Sequence, residues 1–269
     1  MMSRAWLLWI IAFLITLVSA VYQRVTGPTY PLRGTVAVGS ETIKFKLIRS
    51  HENPGDAEVS VPVPDMSMSG TYEFRRQPSN DPWIRRPLSR RGDSLVGWIP
   101  NQPASGKVMY RILIGKPGVE PVPLTAEPVV LRFKDYVPRI PILWPHIALM
   151  SIGMLCSTRA GLEALVRGSR TYRIALWALA PVFFGGIVLG PIVQKLAFGS
   201  YWTGWPVGHD LTDNKTALAI IFWVIAVWRL RKKPETRGWV IAAAVVTLLI
   251  YAIPHSVLGS ELDYTQVRQ

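Results

Sequence analysis

The chain has 269 residues, of which 49% are hydrophobic and 17% charged, with a mean hydropathy of +0.24 and a formal net charge of +13. That balance excludes an ordinary soluble globule. It also argues against a nucleic-acid partner, because most of the unopposed positive charge lies in short segments between apolar runs rather than on one basic domain.

The first run, residues 5–22, reads as a membrane anchor occupying 1–23. Val18-Ser19-Ala20 resembles a signal-peptidase site, but the length of the run and its two tryptophans, Trp6 and Trp9, favour an uncleaved anchor over a signal peptide.

Residues 28–136 change character. Short alternating segments recur at 35–39, 42–50, 57–64, 71–76, 83–90, 94–100, 107–115 and 129–137, separated by turn-forming groups such as NPGD at 53–56. In Thr42-Ile43-Lys44-Phe45-Lys46-Leu47 apolar and polar side chains alternate with the period of a half-buried strand. The pattern predicts an antiparallel β-sandwich of the immunoglobulin or fibronectin III type, with no cysteine pair of the antibody kind.

Residues 137–269 return to apolar runs at 140–158, 174–193, 216–228 and 239–254. A bilayer core of ~30 Å needs about 20 helical residues, so these predict four more spans. The fold class is therefore a mixed membrane protein. It is a five-helix transmembrane bundle with an inserted extracytoplasmic β-domain, an outer loop at 194–215 and an outer C-terminal tail. Arg159, Arg167, Arg170 and Arg173 follow the second run, and Arg229, Arg231, Lys232, Lys233 and Arg237 follow the fourth. Short basic loops stay inside, which predicts a plasma (inner) membrane protein with a cytoplasmic N-terminus. The one cysteine, Cys156, reads as a packing residue.

Three of the four histidines fall towards the outer face. Counted at 1.5 Å per residue from the inner helix ends, His146 lies about 20 Å up, His255 and Asp213 about 24 Å and Gln194 about 31 Å. Tyr251 shares a helix face with Thr247 and His255 at spacings of four. The fourth run is too short to span alone and must recruit Leu211 to Lys215, with Thr212 as its N-cap. These positions predict a polar wedge lined by His146, Gln194, Asp213, Tyr251 and His255. Lys215 stands at its rim, and His209, Asp210, Glu261 and Asp263 lie just above. Ionisable groups at membrane depth are a reason to expect a site.

The chemistry of that wedge stays open. His146, His255 and Asp213 are candidate metal ligands, and two histidines on facing helices could hold haem b, but no HExxH, HxH or CxxCH spacing supports either. The favoured expectation is a non-enzymatic accessory, assembly or ligand-sensing component. Its partners would be the lipid bilayer and another membrane or extracytoplasmic protein. The alternative is a membrane-embedded enzyme or a metal or haem redox protein using the outer-face wedge.

Overall fold

The computed structural model describes residues 2–265 except 256, 258 and 260, so residues 266–269 of the tail lie outside the described residues. The chain divides into two compact units, Met1–Pro28 with Val137–Ser260, and Thr29–Tyr136 with Glu261–Gln269.

The first unit is helical. It comprises α1 (Met2–Thr26), α2 (Trp144–Leu165), α3 (Thr171–Phe183), α4 (Gly190–Phe198), α5 (Leu211–Lys232) and α6 (Gly238–Ala252). A π-helical turn, Arg139–Leu143, leads into α2, and another, Phe184–Leu189, joins α3 to α4 into one continuous stretch. Pro191 has no amide with which to continue the usual ladder. Around it the register widens, and Gly190 donates its N–H to the carbonyl of Gly185 five residues back.

Among the described residues, four stretches are long and apolar enough to cross a membrane: Ala5–Thr26, Arg139–Leu165, Thr171–Phe198 and Leu211–Lys232. The fifth expected span, α6, has 15 residues. It reaches about 22 Å, short of a ~30 Å hydrocarbon core.

Small residues bring the helices together. Ala160, Ala164, Ala175, Ala178, Ala226, Ala243 and Ala244 surround the fully buried Trp223. The Trp223 indole donates to Thr247 Oγ1 at 2.9 Å, and that hydroxyl donates to Ala243 O at 2.8 Å, so the polar atoms at the centre are satisfied. Cys156 is buried in the same core.

Arg159 corrects one expectation. It is no loop residue but lies within α2, 1% exposed, bonded to Glu163 at 2.7 Å one helical turn on. The helix continues past the apolar run at 140–158 because this i,i+4 pair neutralises both charges.

The described residues of the second unit form eleven strands: β1 (Leu32–Val38), β2 (Glu41–Leu47), β3 (Ser50–Glu52), β4 (Ala57–Pro62), β5 (Ser69–Gln77), β6 (Ile84–Pro87), β7 (Ser89–Arg91), β8 (Ser94–Ile99), β9 (Lys107–Gly115), β10 (Val122–Pro123) and β11 (Val129–Lys134). They form three sheets, β1-β2, β3-β11-β9-β5-β6 with β10 on β9, and β4-β8-β7. Pairing is antiparallel as the alternation predicts, except that β3 runs parallel to β11. Inward residues of all three sheets meet in one core that includes Ile43, Phe45, Val59, Tyr72, Ile99, Tyr110, Ile112, Leu131 and Phe133. Two buried hydroxyls tie its layers, Tyr72 to Trp98 O at 2.9 Å and Tyr110 to Ile48 O at 2.8 Å.

The tail belongs to this unit rather than to the helices. Leu262 N donates to Ser105 O, Tyr264 N donates to Pro78 O, and the Tyr264 ring lies under the Arg76 guanidinium at 4.8 Å. A strand-rich surface with unpaired backbone groups offers such a segment partners that helices cannot.

Glu73, on β5, is buried between Arg85 and Arg111 and bonded to both. Burial raises its carboxyl, but the hydrogen bonds from Arg111 and Arg85 outweigh that and hold it below its ordinary value of 4.5. A depressed folded-state value contributes stability that is present above the unfolded value and is lost as pH falls through the folded one. The excised β unit, residues 29–136, is expected to give a sheet-type circular dichroism spectrum and to unfold cooperatively. In it, Glu73→Gln is expected to flatten the loss of stability below pH 4.5 seen in urea titrations, leaving the part due to Asp65 and Asp81.

Candidate functional site

The segment between α4 and α5 is built around acceptors at the start of α5. Asp210 is the N-cap, taking the Thr212 amide on its side chain at 2.8 Å. The expected cap, Thr212, is one position inside the helix. Asp213 then faces back towards the loop. Its Oδ2 accepts the amides of Thr203 at 2.7 Å and Gly204 at 3.0 Å, and the Gln194 amide nitrogen at 3.2 Å. Asn214 Oδ1 accepts the Trp205 amide at 2.6 Å. Three successive backbone donors are thus captured by two successive side chains. The Thr203 carbonyl closes the loop by accepting Asp210 N at 2.9 Å.

Gly204 is required by contact rather than by dihedral angle. A Cβ there would stand 2.6 Å from Asp213 Cβ and 2.7 Å from Asn214 Oδ1. Gly186 plays the matching part beneath, where a Cβ would stand 2.6 Å from Thr216 Cγ2. Both glycines let backbone approach α5 closely.

The other wedge residues are interhelical ties. His146, on α2, donates its Nδ1–H to Gly185 O at 2.8 Å, in the π-helical turn. Gln194, on α4, donates to Thr203 Oγ1 at 2.6 Å as well as to Asp213. Lys215 is 5% exposed and donates to Ile253 O at 2.7 Å, just past the end of α6, where a helix C-terminus favours a cation. Tyr251 donates its hydroxyl to Met150 O at 2.8 Å, joining α6 to α2, and its own carbonyl accepts from Gln23 of α1 at 3.0 Å.

The structure therefore brings His146, Gln194, Asp210, Asp213, Lys215 and Tyr251 into the packing of one end of the helical unit. His255, exposed just beyond α6, is within electrostatic range of Lys215, His146 and Asp210. His209 is exposed on the loop. Glu261 and Asp263 belong to the β unit. Glu261 pairs with Lys107, and Asp263 accepts from Thr265 N at 2.9 Å. Among the described residues, no three His, Cys, Asp or Glu side chains gather so as to hold a metal, and the candidates His146, His255 and Asp213 form no such set.

Sequence reasoning passed over Thr203, Gly204 and Asn214. Their signal was present in the adjacency of Asp213 and Asn214 in the first turn of a helix, where side-chain acceptors meet incoming amides. Neither a protein-family model nor a curated protein matches the chain.

Asp213→Ala would strip the acceptor from two loop amides in a mostly buried site. It is expected to destabilise the helical unit by about 2 kcal/mol. Asp213→Asn retains an acceptor oxygen and should cost about 1 kcal/mol or less. Gly204→Ala should resemble Asp213→Ala. Unfolding of the detergent-solubilised chain in dodecyl sulfate, followed by tryptophan emission, would rank the three.

Proposed function

We propose that the chain is a multi-pass plasma-membrane protein with a cytoplasmic N-terminus, acting as a non-enzymatic accessory, assembly or ligand-sensing component. In this reading the β unit is an immunoglobulin- or fibronectin-like sandwich outside the cytoplasm. Its partner is another membrane or extracytoplasmic protein.

One contrast supports it. The helices present an apolar exterior, while their polar side chains at the α5 start are turned inward and bonded. Along α1 the residues Trp6, Ile10, Phe13, Leu14, Leu17, Val18 and Val21 are all exposed. Such a surface suits lipid. Asp213, Lys215, Tyr251 and His146 each bond to backbone, so these groups tie the helices and the loop together.

The fifth span is α6, completed by its flanks and by local thinning of the bilayer, which costs a fraction of a kcal/mol per Å. Removing Arg159 from the inner loop leaves Arg167 and Arg170 there and Arg173 in the first turn of α3, with Arg229, Arg231, Lys232, Lys233 and Arg237 around the other. The charge bias therefore still favours a cytoplasmic location for both.

Single cysteines at Ser169 and Thr236 are expected to resist an impermeant maleimide in intact cells, and one at Ser79 to react. The native Cys156 is buried and should stay silent. Labelling at Ser169 from outside would invert the layout, and with it the placement of the β unit.

A further inference from the structure

At the other end of α5 from Asp213, the helical unit holds a cavity of 280 Å³ lined by Ser169, Thr171, Tyr172, Pro234, Arg231 and Arg237, with Gly168 and Leu230. This is several times the ~30 Å³ that one water occupies in the liquid. The first turn of α3 opens into it, and no side chain caps that turn.

The charge there is unbalanced. Among the described residues neither Arg231 nor Arg237 has an ion-pair partner, and no carboxylate lines the cavity. Of the two nearest acids, the Glu163 carboxylate lies against the cavity-lining Gly168 but is already engaged. Glu163 is held by Arg159 at 2.7 Å and by the Arg170 amide at 3.2 Å, and Glu235 is exposed. Arg231, exposed, and Arg237, half-buried, line the cavity without an ion pair of their own, a setting that favours an anion.

A separate feature indicates what surrounds this end. Arg229 lies over the rings of Trp228 and Trp239 at 5.3 and 5.8 Å, and Lys232 Nζ lies over Trp228 at 4.5 Å. Both tryptophans are exposed. Amphipathic rings interleaved with basic side chains mark the level of lipid headgroups.

We infer that this cavity binds a phosphate group of the kind carried by anionic phospholipids, with Arg231 and Arg237 pairing its oxygens. The Ser169 hydroxyl and the uncapped amides of α3 supply further hydrogen bonds. The inference rests on the membrane reading above but not on which face of the bilayer this end occupies.

The test uses the full chain in a zwitterionic detergent, titrated with dihexanoyl phosphatidylglycerol, dihexanoyl phosphatidylcholine and inorganic phosphate, with binding read by native mass spectrometry. Phosphatidylglycerol is expected to bind and phosphatidylcholine not to. Competition by inorganic phosphate would assign the site to free phosphate as well, and lack of competition would assign it to the lipid headgroup. R231Q/R237Q should bind about thirtyfold more weakly, while R231K/R237K keeps much of the affinity. S169W, which fills the cavity without changing its charge, should block binding. R167Q removes a nearby charge that does not line the cavity and should bind as the unaltered chain does. Equal binding by R231Q/R237Q and the unaltered chain, or an equal loss in R167Q, would overturn the proposal. Flotation with phosphatidylcholine vesicles reads the membrane assignment separately. Failure to float overturns both readings, whereas flotation with binding indifferent to R231Q/R237Q overturns the cavity alone.

Discussion

The capture of the Thr203 and Gly204 amides by the Asp213 carboxylate is the interaction on which one end of the helical unit depends. A chain that reverses direction at the edge of an apolar environment must satisfy every amide it exposes there. With those donors bonded, the loop folds back over the first turn of α5, and Gly204 can lie against Asp213 Cβ. That placement fixes where α5 begins. Lys215 then reaches the Ile253 carbonyl and draws in the end of α6, while Tyr251 and its carbonyl hold α2 and α1 in turn. The Lys215 and Gln23 ties use carbonyls at the end of α6, whereas the Tyr251 hydroxyl reaches the Met150 carbonyl within α2.

The two ends of the bundle solve the burial of charge differently. Near Asp213, charged side chains meet backbone groups. At the Arg159 end, charge meets charge, with Glu163 on one side of the guanidinium and the Trp9 ring 5.5 Å away on another. Arg159 Nε and Nη1 lack hydrogen-bond partners among the described residues. A buried pair of this kind contributes little net stability, because desolvation offsets most of the attraction, yet loss of either partner would strand the other. Its structural effect is to carry α2 beyond the apolar run and to place Arg170 N on Glu163, which shapes the turn into α3.

Periodicity made the strands readable. In β2 the alternation of residue types matches the alternation of buried and exposed positions, and β9 alternates buried with partly buried positions. Runs of apolar residues located the helices equally well, since composition alone tells a lipid-compatible helix from a solvated one. Features that depend on a distant partner were not readable. Arg159 looked like a loop charge because a salt bridge four residues away is invisible to a hydropathy window. Asp210 rather than Thr212 became the cap because the loop returns to bond Asp210, and nothing local distinguishes the two. The parallel pairing of β3 with β11 and the docking of Tyr264 are long-range contacts with no local signature. Among the candidate site residues, the cluster on the helical unit followed from counting depth along helices. Glu261 and Asp263 fall in the β unit, beyond the last helix, where that count does not apply.

The segment at 201–210 can now be divided by what each residue touches. Thr203, Gly204 and the Trp205 amide are bound to α5, which holds the backbone of the loop in place. The side chains of Tyr201, Trp205 and Val207 are 60%, 76% and 75% exposed. Lys195 stands over the Tyr201 ring at 5.6 Å and the Trp202 indole donates to Trp205 O at 3.1 Å, so even the aromatic groups are oriented by their own loop. A rigid backbone presenting large aromatic side chains outward has the chemistry of an interfacial anchor. The polar groups beneath it hold that loop in shape. Asp213 and Asn214 fix three of its amides at the start of a helix.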